Sequence, residues 1–348
     1  MNIKTINIKN KRIIVFSLLL IFLIISYIIV GYVESKATFS DENALASTLK
    51  DMEICIGGEA VGIKILATGV LVMDNNNHPN LSIGDVILKI NDTPIDSNNA
   101  LISEIQKANG EKVSLKIDRN GEIKNITVKP EFSETSNMYE LGIWVKDSSA
   151  GVGTISFYDK KNKLFAALGH GITETNNNVI IPINSGAIVK TKITEINKGK
   201  RKNPGDIKGI LYTNVLGQII KNTSYGIYGK LEENMFENKS SIKVASKLEV
   251  VEGPAKIYCT LDAGKVQKFN VNIERVLYNS SGNKNMVIKI TDDALIQKTG
   301  GIIQGMSGSP IVQKGKLIGA ITHVFYNDPT QGYGVFAETM INDMANLK

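Results

Sequence analysis

Beyond Asn137 the chain is a succession of short runs rich in β-branched and aromatic residues, among them GVGTISFY, KLFAALGHGI, AIVKTKITEI, MVIKI, SPIVQ and KLIGAITHVFY. Each is stopped by glycine or by a polar turn. No long helical periodicity intervenes over roughly 200 residues, so this part is expected to be an all-β barrel or sandwich. Only Ala337 to Leu347 is expected to close it with a short helix. A hydrophobic content of 43% against 21% charged residues is enough for real cores, and 348 residues are enough for two folded units.

A different pattern precedes it. Val61 to Met73 is β-branched and interrupted by Gly62 and Gly69, and an asparagine-rich loop carrying His78, expected at the surface, follows. Ile83 to Ile95 reads IGDVILKINDTPI; a helix is expected from Asp96 to Asn109, capped by Asp96 or Ser97 and ended by Gly110, and a hairpin turns at Asn120-Gly121. This order, with the IGDVILKINDTPI segment, resembles a PDZ domain of the bacterial-protease type over residues 53–131. The resemblance implies a glycine-containing loop that offers amides to a peptide carboxylate, here Gly57-Gly58 through Gly62, leading into Ile63, with the ligand adding as a strand. Gly58, Gly62 and Ile63 are then the candidate peptide contacts; the other reading is that these glycines only make turns.

At the N-terminus, Lys9, Lys11 and Arg12 precede an uncharged stretch of 21 residues, Ile13 to Val33. It has the length of a membrane-crossing helix, and the positive flank puts residues 1–12 in the cytoplasm. Residues 34–52 read as a linker, and everything after Glu34 is expected outside the cytoplasm. A cleaved signal peptide is the rival, disfavoured by the length of the apolar run. The net charge of +6 is spread thinly, and its densest run, Lys198 to Lys202, sits among loop residues. With only 6% aromatics a nucleic-acid partner is not expected. Cys55 and Cys259 are isolated and read as structural.

The chemistry concentrates in Gly305-Met306-Ser307-Gly308-Ser309-Pro310, followed by a hairpin turning at Lys314-Gly315. Glycines beside a serine let the amides of Gly305 and Ser307 point at one site as an oxyanion hole. A serine hydroxyl needs a base, and His170, among the small residues of AALGHGI, is the candidate; His323 competes, as Ser309 does for the nucleophile. Both segments resemble chymotrypsin-like serine peptidases, which implies a double β-barrel. An acid is expected to complete the set, and Asp292, Asp293 and Asp206 are open. The whole layout of apolar segment, PDZ-like module, ALGHGI, ITD and TGGIIQGMSGSPI resembles the sporulation stage IV protein B peptidases.

That resemblance assigns the acid to Asp292, 15 residues before Ser307. It implies a mainly β protein: an N-terminal transmembrane helix at 13–33, a small PDZ domain at 53–131 and a peptidase domain at 140–348. It also implies a serine endopeptidase facing the space between forespore and mother cell, which cuts itself and then a membrane-bound regulator of a late sporulation factor. The PDZ module would hold a peptide or the chain's own N-terminal segment. Met306 stands where classical zymogens carry an aspartate, so activation by a new N-terminus is not expected. No metal or organic cofactor is implied. A catalytically inactive PDZ adaptor and an esterase are the alternatives; the esterase expects a helix after the serine, where the sequence has a hairpin.

Overall fold

In the computed structural model the described residues are 21, 24–27, 53–76, 78–173, 180–232, 235, 239–262, 264–345 and 347. The expected membrane span lies outside them apart from Ile21 and Ile24 to Tyr27, which are helical, and the expected residues 1–12 and 34–52 lie wholly outside. Among the described residues no helix is long and apolar enough to cross a membrane. Met1–Met52 and Glu53–Lys348 are separate compact units.

In chain order the second unit begins with β1 (Glu53–Ile56) and β2 (Ala60–Asp74). Next come β3 (Val86–Ile90), β4 (Thr93–Pro94), helix α1 (Asn98–Ala108), β5 (Val113–Arg119), β6 (Glu122–Val128), β7 (Glu131–Ser133) and β8 (Met138–Glu140). Then follow β9 (Trp144–Asp159), β10 (Leu164–Ala167), β11 (Ile183–Asn197), β12 (Asp206–Thr223) and β13 (Gly226–Leu231). The last part holds β14 (Ser241–Val244), β15 (Gly253–Asp262), β16 (Lys265–Val276), β17 (Met286–Ile290), helix α2 (Asp293–Thr299), β18 (Pro310–Gln313), β19 (Lys316–Phe325), β20 (Asp328–Phe336) and helix α3 (Ala337–Ala345).

Two rings close. β2, β9, β10, β13, β12 and β11 pair in that cyclic order, each pair antiparallel. Around a second centre, β15, β16, β17, β20, β19 and β18 do the same. Closure removes the sheet edges that such strands otherwise expose. β1 and β14 join the barrels: β1 pairs with β9 of the first and with β14, and β14 runs parallel to β19 of the second. Ile63, Ile155, Phe165 and Ile188 fill the first barrel; Ile257, Ile273, Met306 and Ile321 fill the second. The expected double β-barrel is therefore present, with Cys55 and Cys259 buried and free, one in each barrel core.

The PDZ module begins later than expected. β2 is one strand of 15 residues, but its two halves belong to different cores. Residues 60–67 lie between β9 and β11 in the first barrel, with Val61, Ile63 and Ile65 inward. After Gly69, at φ +86°, residues 70–74 pair with β3 and with the start of β9, and Val70 and Val72 join a third core with Ile87, Leu101, Ile105 and Leu115. The expected start at Glu53 is thus corrected: residues 53–67 are barrel, and the module is carried between the paired strands β2 and β9, which lead into it and out of it. Within it α1 starts at Ser97, whose hydroxyl accepts from the Ala100 amide, and ends at Asn109 in the left-handed conformation.

The IGDVILKIND segment carries a buried charge. Asp85 is fully buried and receives both Nε and Nη2 of Arg119 at 2.7 Å, together with the amide of Ser82 at 2.8 Å. A carboxylate stripped of water needs this paired acceptance. We expect Arg119→Ala, which strands the Asp85 charge, to destabilise the PDZ module by about 3 kcal/mol, measurable by chemical denaturation of the full chain.

Candidate active site

His170 follows a strained turn. After β10, Leu168 and Gly169 both take φ +70°, and the Gly169 amide folds back onto the Ala167 carbonyl at 2.9 Å. A leucine there costs about 1 kcal/mol, and the turn holds because the neighbouring Leu168 amide donates to the Thr154 carbonyl at 3.2 Å. The ring of His170 is half-buried, and its Nδ1 lies 2.8 Å from the carbonyl of Gly171. A carbonyl only accepts, so Nδ1 carries the proton and Nε2 keeps its lone pair. Burial pushes the imidazole below its ordinary value, partly offset by the Gly171 carbonyl.

Ser307 sits on the loop that leads into the β18–β19 hairpin. Its hydroxyl donates to the Thr322 carbonyl at 2.8 Å rather than to His170. Neither the Gly305 amide nor the Ser307 amide has an acceptor among the described residues, while the neighbouring Gln304, Met306, Gly308 and Ser309 amides are all engaged. Two free amides flanking a serine are what a developing oxyanion requires. Ser309 is fully buried and its hydroxyl is given to the Met306 carbonyl at 2.6 Å, which removes it as a nucleophile.

Thr154 of β9 draws the two turns together. Its hydroxyl donates to the Gly305 carbonyl at 2.7 Å, its amide donates to the Ser307 carbonyl at 3.1 Å, and its carbonyl accepts from Leu168. Gly308, at φ +95°, lies so close beneath that a Cβ would stand 2.1 Å from the Thr154 carbonyl and 2.5 Å from the Leu168 nitrogen. The glycine after the serine is therefore required by the contact between barrels as well as by the turn.

His170, Ser307 and Gly305 all line one cavity of about 410 Å³, with Ile63 and Gly151 of the first barrel and His323 of the second. The His323 ring centre is 5.0 Å from that of His170. Burial, then repulsion from His170 once that ring is protonated and from Lys284, push His323 down to about 4, so it stays neutral at physiological pH. It forms cavity wall, whereas His170 carries the oriented tautomer.

A family model described as SpoIVB peptidase S55 matches residues 137–341, more than half of the chain. The chain belongs to the SpoIVB peptidase S55 family. It is a serine peptidase. A PDZ domain model matches residues 40–129 of this S55 peptidase, a span whose described part includes the barrel strand at 60–67. No curated protein matches the chain. Among solved structures, the PDZ domain of an SdrC-like protein from Listeria monocytogenes is 20% identical over 22% of this chain and 87% of that one, at a TM-score of 0.21. The Rv3671c protease in an inactive form is 12% identical over 57% and 83%, at 0.30. The HtrA-type protease AlgW with a decapeptide is 10% identical over 83% and 64%, at 0.36.

The structure brings Ser307, Gly305 and His170 of this peptidase together and leaves the other expected residues elsewhere. Asp292 is the N-cap of α2: one oxygen accepts from the Leu295 amide at 3.2 Å, the other from the Asn270 amide at 3.1 Å. Among the described residues no carboxylate is hydrogen-bonded to the His170 ring, whose Nδ1 faces the Gly171 carbonyl. Asp206 accepts from the Asn197 side chain, and Asp293 is exposed in the first turn of α2. Gly58, Gly62 and Ile63 do not form a ligand loop. The Gly58 amide is spent on Ile155, a Cβ on Gly62 would strike Leu211 and Val189, and Ile63 faces the barrel core. Thr154 and Thr322 escaped the sequence reading, since a threonine in a strand is ordinary; the trace of Thr154 is a polar residue at an inward-facing position. We expect Asp292→Ala to lower stability by about 1 kcal/mol, and Asp292→Asn, which still caps, to restore it, with unfolding and activity followed on the same samples.

Proposed function

We propose that the chain is a serine endopeptidase in which Ser307 is the nucleophile, His170 the general base and the amides of Gly305 and Ser307 the oxyanion hole. The observation that carries this is the pair of unengaged amides at a serine that shares its cavity with a histidine whose Nε2 is left basic. With a peptide carbonyl in the cavity, the Ser307 hydroxyl turns from Thr322 to His170 Nε2. The proton passes to the imidazole as the Oγ–C bond forms, and the carbonyl oxygen becomes an oxyanion held by the two amides. The imidazolium then gives its proton to the departing amine, and water enters by the same route to release the acyl group.

The biological setting belongs to the same proposal. The family description supports a role in sporulation; in this reading the apolar stretch at 13–33, with its positive flank, anchors the chain and leaves the catalytic part outside the cytoplasm, between forespore and mother cell. There it cuts itself and then a membrane-bound regulator of a late sporulation factor, while the PDZ module takes a peptide or the chain's own N-terminal segment. An esterase is disfavoured because the β18–β19 hairpin, not a helix, follows the serine. An inactive adaptor has no need of free amides at Ser307.

In the full chain we expect a serine-directed fluorophosphonate to label wild type and not Ser307→Ala, with self-cleavage lost in Ser307→Ala and His170→Ala alike. Equal labelling of wild type and Ser307→Ala refutes the assignment of the nucleophile. The pH dependence has a defined sign: the base works neutral and burial lowers its ionisation below 6.5, so labelling persists as pH falls below 6.5 and is lost only on passing the lowered value. A labelling rate that already halves above pH 6.5 contradicts this.

A further inference from the structure

A base in such a site has to be held in one tautomer and one orientation, and here the group that holds it is a peptide. The Gly171 carbonyl that accepts from His170 Nδ1 belongs to the same planar unit as the Ile172 N–H. Gly171 has no Cβ, and there is no room for one, since it would stand 2.5 Å from the Thr223 carbonyl. Its backbone torsions are therefore soft, and the Gly171–Ile172 peptide needs an outside anchor to keep its carbonyl on the histidine. Asn222 supplies it: Oδ1 accepts the Ile172 N–H at 2.8 Å, and Nδ2 donates to the carbonyls of Ile172 at 2.8 Å and Ile181 at 3.0 Å. One donor and two acceptors fix which end of the amide is oxygen.

Asn222 is itself braced. It ends β12 beside Lys221 and Thr223, and both neighbours bind Asp343 of α3, Lys221 at 2.9 Å and Thr223 through its hydroxyl. The C-terminal helix thereby backs the turn that holds the histidine loop. The carboxylate expected at the histidine is meanwhile engaged in capping α2.

We propose that Asn222 is a positioning residue of this peptidase: through the Gly171–Ile172 peptide it holds His170 as the Nδ1–H tautomer. The hydrogen bonds run from His170 Nδ1–H to the Gly171 carbonyl, across the peptide, and from the Ile172 N–H to Asn222 Oδ1. A neutral acceptor steadies the imidazolium less than a carboxylate does, so this arrangement favours a base that stays neutral in acid.

The inference rests on the serine-peptidase reading, and fluorophosphonate labelling of the full chain separates the two. We expect Asn222→Ala to lower the maximal labelling rate per folded molecule by about a hundredfold, with the probe's half-saturating concentration close to wild type and the unfolding midpoint lowered but the chain still folded under the assay conditions. Asn222→Asp keeps an acceptor for the Ile172 N–H and brings a negative charge towards the ring. Its second oxygen stands against the carbonyls of Ile172 and Ile181, so it should recover only part of the lost rate while moving the acid limb to higher pH. If Asn222→Ala labels like wild type, or if both variants lose rate only in proportion to lost folded protein, Asn222 is not a positioning residue. If wild type itself is not labelled, the serine-peptidase reading fails, and this inference with it.

Discussion

The strap that Thr154 throws across the barrels is the contact on which the site depends. Ser307 belongs to the second barrel and His170 to the first, and neither barrel alone can set the distance between them. Thr154 binds the carbonyls on both sides of Met306 and accepts from the turn before the histidine, so one residue fixes both loops. The contact is buried, where an unmade hydrogen bond costs more than a made one gains. That asymmetry gives the interface one geometry, and the packing of Gly308 beneath it leaves no volume for another.

The PDZ module is carried by the same strands. β2 and β9 line the catalytic cavity through Ile63 and through Ser149 to Val152, then continue as a pair into the core that holds α1. Gly69 marks the change of core, with the register of β2 against β9 broken between Leu66 and Leu71. Peptide module and catalytic cavity are thus joined by two hydrogen-bonded strands and not by a loose linker, so their wall residues share a backbone.

The polar chemistry follows the same economy. Backbone groups make most of the contacts: a peptide carbonyl faces Nδ1 of His170, the amides of Gly305 and Ser307 have no acceptor among the described residues, and the Thr322 carbonyl holds the serine hydroxyl. Charged side chains serve the scaffold instead, Asp85 with Arg119 in the PDZ core, Asp292 at the head of α2 and Asp343 behind the histidine turn. Backbone groups suit the task because they are fixed by the fold and carry no titrating charge into a half-buried cavity.

Much of this was legible in the order of residues. The β character, the helix after Asp96, the hairpins at Asn120-Gly121 and Lys314-Gly315, the serine with its two glycines and the histidine in AALGHGI all depend on local pattern, because strand alternation, turn chemistry and a nucleophile loop are written within a few neighbours. The place of Asp292 was not legible in that way: ITD before the serine gives no sign that its carboxylate accepts from the backbone amides of Leu295 and Asn270, the latter 22 residues earlier in the chain. Nor was the boundary of the PDZ module, since residues 60–67 and 70–74 have the same apolar pattern. Their cores differ only because β11, arriving more than a hundred residues later, pairs with the first half and β3 with the second. Sequence by itself determined the elements and the candidate residues; tertiary structure alone decided which of them meet, because strand partners and hydrogen-bond acceptors are supplied by segments far away in the chain.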